Sequence, residues 1–107
     1  MSLTQQAESL ALELRSLGRE ARSMVSQGRL QELEPIGART AATFERLQAL
    51  YPEGRIHDRH VRQIVDEVAV ENVATQQLLI ALRDELKRAI DETQIAGRAV
   101  TSYAKRA

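Results

Sequence analysis

Apolar residues recur early in the chain at Leu3, Ala7, Leu10, Leu14, Leu17, Ala21 and Met24, alternating steps of four and three without a miss. A side chain every three or four residues stays on one stripe of an α-helix, so the spacing predicts a helix over about residues 3–27 with a coiled-coil-like seam. Ser2 followed three residues later by Gln5 offers a capping box, and Gly28 offers the left-handed residue that ends a helix. A second periodic segment covers about residues 29–50 through Leu30, Leu33, Ile36, Phe44, Leu47 and Leu50. Pro35 and Gly37 disturb it. A proline inside a helix lacks an amide donor and costs about 3 kcal/mol, so a kink or a late start is expected there. Tyr51, Pro52, Glu53 and Gly54 then read as a loop.

The third segment has Asp58 as its N-cap and nothing that stops it before Gly97 or beyond. Roughly 40 helical residues at about 1.5 Å each make a rod of about 60 Å, which two companions of about half that length do not cover. Its main stripe runs Val61, Val65, Val68, Asn72, Thr75, Leu79, Leu82, Leu86 and Ala89, with Ile64 and Ile90 at the edge. Val70, Val73, Ala74, Ile80 and Ala81 fall on the opposite side at about 100° per residue. A helix between two neighbours needs two apolar stripes, so one reading buries both. The other leaves the second stripe free for an amphipathic partner helix, with Val70, Val73 and Ile80 as the contact residues. Asn72 and Thr75 interrupt the seam and are expected to turn to solvent or to bond to backbone. Farther on, Asp84 and Arg88 are spaced as an exposed ion pair. In the tail GRAVTSYAKRA, Val100 and Tyr103 are further candidates for a partner contact beside three basic residues.

Composition narrows the classes. The chain has 107 residues, enough for a single domain with a modest core. Its 15 Lys and Arg balance 15 Asp and Glu, so it lacks the basic field of a nucleic-acid binder. Aromatics are only 3% of the residues, too few to floor a nucleotide or sugar pocket. The absence of cysteine removes disulfides and thiolate metal sites and suits a cytoplasmic location. No apolar run reaches the roughly 18 residues of a membrane span, and the N-terminus lacks the pattern of a signal peptide, so neither membrane insertion nor secretion by that route is expected. His57 and His60 could share a metal if both were helical, but no third ligand stands near them, and no metal or cofactor is expected. With no phosphate loop, nucleophile set or carboxylate pair, the chain reads as a non-enzyme.

The order of elements, with MVSQGRLQELEPIGARTAATFERL across the first two helices, Asn72 followed by Leu78 and Leu79 in the long one, and Tyr103 near the end, resembles the flagellar export chaperones of the FlgN and FliT kind. The likeness covers most of the chain. Ala104 stands where those families often have glycine after the tyrosine, and Pro35 within the second helix also departs from their pattern. The three periodic segments by themselves read as an all-α, antiparallel bundle of two shorter helices and one long C-terminal helix, and the resemblance agrees with that. The resemblance also implies a cytoplasmic bacterial chaperone of type III export that binds the C-terminal helical region of a hook-associated or cap protein and holds it from premature assembly. A homodimer through the long helix is a further implication. Two other classes stay open: a histidine phosphotransfer-like bundle using His57 or His60, and a structural dimeric coiled coil.

Overall fold

The computed structural model describes the backbone of residues 2–106 and the side chains of residues 2–102. The described chain is all-α, with three helices and two short 3-10 turns. Helix α1 spans Leu3–Ser26, α2 spans Leu33–Ala49 and α3 spans Arg59–Arg106. By its internal contacts the chain divides into two units, Met1–Gln76 and Gln77–Ala107.

The ends of the elements follow from local chemistry. Ser2 Oγ accepts from the Gln5 amide at 3.2 Å while the Gln5 side chain accepts from the Ser2 amide at 3.1 Å, which closes the expected capping box. At the other end of α1, Gly28 sits at φ 72°, its amide donates to Val25 O at 3.1 Å, and the Arg29 amide donates to Met24 O at 2.9 Å. Those two bonds satisfy carbonyls that the helix itself leaves unpaired. The second helix starts late, as the proline suggested: a 3-10 turn over Leu30–Glu32 comes first, and α2 begins at Leu33. Pro35 is then the third helical residue, where a missing amide proton breaks no intrahelical bond. Asp58 Oδ1 accepts from the His60 and Val61 amides at 3.1 and 3.3 Å, so it caps α3. Gly97 does not end that helix. It lies inside α3 without the positive φ of a helix terminator.

In the first unit, Thr43 Oγ1 of α2 donates to Glu13 Oε1 of α1 at 3.5 Å, and because these two packed helices are joined only by the short segment 27–32 they run antiparallel. Along α3, His60 meets Glu8 and Arg22 meets Glu71, both at 3.4 Å, so rising numbers in one helix match rising numbers in the other. Helices α1 and α3 therefore run in the same direction, with α2 opposed to both. The core between them holds Ala7, Ala11 and Leu14 of α1, Leu47 of α2, and Val61, Ile64 and Val68 of α3. Each large aliphatic side chain buried there contributes about 1.5–3 kcal/mol.

The buried face of α1 is wider than the seam read from sequence. Ala11, Gly18 and Val25 are buried beside Leu14 and Leu17, whereas Leu3 is exposed. One helix that packs on two neighbours buries two adjacent rows, and of the second row, Ala11, Gly18 and Val25, only Val25 carries a strong hydrophobic signal. The loop is also more than a connection. Tyr51 and Ile56 are buried within the core, and Glu53 and Gly54 take positive φ values of 57° and 68° to bring the chain round between them.

Candidate partner-binding surface

The first stretch of α3 presents two different faces. Val61, Ile64, Val68 and Thr75 are buried, and the Thr75 hydroxyl donates to the Glu71 carbonyl at 3.0 Å, which satisfies it without water. Asn72 is half-buried and lies against Gly18 of α1. On the other side, Val70 is 72% exposed and Val73 55% exposed. A shallow, open depression runs beside Val70, lined by Arg59, Arg62, Gln63, Asp66 and Glu67 among others. Arg62 and Asp66, one turn apart on α3, pair along it at 3.1 Å and are both well exposed, so this part of the face is a solvated ion-pair surface.

The second unit is a stretch of α3 alone. Every described side chain in residues 83–102 is exposed. Ile80 is 48% exposed and Val100 69%, and Leu86, Ile90 and Ile95 are also uncovered. Twenty residues separate Ile80 from Val100, which turns the helix by about 160° at about 100° per residue. The two valued contact residues of this unit thus occupy different faces, and Val100 stands with Leu82 and Leu86. Tyr103 belongs to α3 by its backbone, but its side chain lies outside the described residues.

The remaining chemistry is sparse. His57 precedes α3, so the helical spacing that would set it beside His60 does not arise. Its ring meets Tyr51 edge-on at 5.3 Å, while His60 faces Glu8. Among the described residues no group of three or more His, Cys, Asp or Glu is placed to hold a metal ion. No helix of the described residues is long and apolar enough to cross a membrane.

Sequence reasoning anticipated the stripe containing Val70, Val73 and Ile80. It missed that Leu86 and Ile90, assigned to the main seam, are uncovered at 60% and 49%. Length had already predicted that the rod outruns its companions, and α3 has twice as many residues as α1, 48 against 24; what the heptad pattern could not say is which seam residues lie beyond the cover. No family model matches the chain, nor does any curated protein or any solved structure.

Proposed function

We propose that this protein is a cytoplasmic export chaperone of the flagellar type III system that binds the C-terminal helical region of an axial protein, of the hook-associated or cap class. The observation that carries the reading is the exposure of Val70 and Val73 on the side of α3 opposite its buried row. Such β-branched side chains cost free energy in water and regain about 1.5–3 kcal/mol each when a partner helix covers them. Ile80 is assigned the same role in the second unit. Val100 and Tyr103 are assigned to pairing of α3 with a second copy. An unassembled filament subunit exposes amphipathic helices of its own, and masking them is a task of surface complementarity that needs no cofactor and no bond-making. The balanced charge of the chain fits a partner recognised by apolar contact more than by a long-range field.

The test is a titration of the purified chain with C-terminal helical segments of hook-associated and cap proteins, read by calorimetry. Binding is expected, and Val73→Glu should weaken it by about ten- to a hundredfold, the loss of one buried aliphatic contact. Absence of binding to every axial segment, or binding that Val73→Glu leaves unchanged, would overturn the reading.

A further inference from the structure

Within the second unit, α3 changes character at Thr93. Residues 83–92, RDELKRAIDE, hold seven charged side chains. Their spacing sets six opposite-charge pairs three or four places apart, such as Asp84 with Arg88 and Arg88 with Glu92, against one like pair, Arg83 with Lys87. Pairs at that spacing support an exposed helix. Residues 93–102, TQIAGRAVTS, hold one charged side chain, Arg98, and no charged residue stands three or four places from it. Six of these ten residues, Thr93, Ile95, Gly97, Val100, Thr101 and Ser102, are among the weaker helix formers, against Asp84, Ile90 and Asp91 in the ten before. Tertiary burial supports neither stretch, since every described side chain in residues 83–102 is exposed.

The local bonds of the later stretch point the same way. Thr93 Oγ1 donates to the Ala89 carbonyl at 2.8 Å, and Thr101 Oγ1 donates to the Gly97 carbonyl at 2.9 Å. A hydroxyl bonded to the carbonyl four residues back competes with the backbone ladder and weakens the helix slightly. Gly97 is the weakest position. Gly28 and Gly54 take positive φ values and Gly18 lies against Asn72, but Gly97 has no positive φ, and a Cβ there would meet nothing within 4 Å. Neither backbone nor packing calls for glycine at this site, and it leaves the local helix about four- to fivefold less favoured than alanine would.

We infer that α3 carries a helix–coil joint at residues 93–97, beyond which residues 94–102 open and reclose while the rest of the molecule stays folded. The first unit has already formed the costly first turns of α3, so residues 83–92 extend an existing helix and hold it through their charge pairs. Past the joint, each added residue gains little against the backbone entropy it gives up. The exposed apolar residues therefore fall into two kinds. Leu86 and Ile90 stand on persistent helix, whereas Ile95 and Val100 stand on helix that forms for part of the time. A contact at Val100 bears the ordering of its segment as it forms, which lowers its apparent affinity by the fraction of time the segment is closed. The joint is independent of the chaperone reading, which is carried by Val70 and Val73 in the first unit.

Hydrogen–deuterium exchange of the full chain, read on peptides by mass spectrometry, tests the joint. Amides in residues 94–102 should exchange within about tenfold of an unstructured peptide, those in residues 61–75 far more slowly, and those in residues 83–92 between the two. Gly97→Ala should slow exchange in residues 94–102 by up to about fivefold, after allowance for the intrinsic rate of each sequence, and leave residues 61–75 unchanged. Exchange in residues 94–102 as slow as in residues 61–75 would show one cooperative helix and overturn the joint. A Gly97→Ala protein without any gain of protection there would overturn its placement at residues 93–97.

Discussion

Tyr51 is 5% exposed, and its hydroxyl has no hydrogen-bond partner among the described residues. Burial, and secondarily the Asp58 carboxylate, raise the phenol above its ordinary value of 10.0. A buried hydroxyl without a partner costs about 1–3 kcal/mol, so Tyr51→Phe should leave stability unchanged or raise it by about 1 kcal/mol in urea denaturation. The same group gives the protein an alkaline sensitivity. The folded state holds the phenolic proton more tightly than the unfolded chain, so its contribution is complete below pH 10 and is lost as pH rises through the raised folded value. Tyr51→Phe should remove that part of the alkaline decline. Gly18 tests the contact between α1 and α3 in a different way. A Cβ there would lie 3.7 Å from Asn72 Oδ1 and 3.9 Å from Glu71 Cγ, which is ordinary contact. Gly18→Ala should therefore stabilise by up to about 1 kcal/mol through helix propensity. Gly18→Leu should destabilise by about 1–3 kcal/mol, because the added carbons need space that α3 occupies. Thermal unfolding of both variants separates propensity from packing.

At the level of elements, the capping residues were legible because their signals are local. Ser2 with Gln5, Gly28 and Asp58 each act over three to five residues of chain, and no tertiary contact is needed to express them. The contrast between Asp58 and Pro35 makes this measurable. Asp58→Ala removes the acceptor of two amide bonds and should cost about 1 kcal/mol. Pro35→Ala should change stability by less than about 0.5 kcal/mol, since the proline sits in the first turn of α2 where its amide would go unpaired. A proline effect near 3 kcal/mol would show that α2 begins earlier in solution. The second row of α1 was not legible. Ala11 and Gly18 are buried there, yet their small side chains add little to a hydrophobic periodicity, so a row that joins them to Val25 does not stand out in a single sequence.

For the whole molecule, stability and partner binding fall on different residues of the chain. Leu47 is fully buried among all three helices of the first unit, and Leu47→Ala should cost about 2–5 kcal/mol. Val73→Glu adds charge to a side chain that is 55% exposed, so its unfolding free energy should stay within about 0.5 kcal/mol of the parent. Chemical denaturation of the two variants, run beside the binding titration, distinguishes loss of surface from loss of fold. A Val73→Glu protein that unfolds as readily as Leu47→Ala would place Val73 in the core and remove it from the contact surface.

By itself the sequence determined the helices, their caps, a disturbance of the second helix near Pro35 and the two apolar rows of α3, because hydrophobic spacing and terminal hydrogen bonds are properties of a short stretch of chain. It also placed Val70, Val73 and Ile80 on a row distinct from Val61 and Val68. Only the tertiary structure decided which of these rows is covered. Burial depends on neighbours distant in the chain, and a leucine at a seam position has the same pattern whether a companion helix reaches it or not. Val61 is thus sealed at 0% exposure and Leu86 is left at 60%, although both occupy the same heptad stripe.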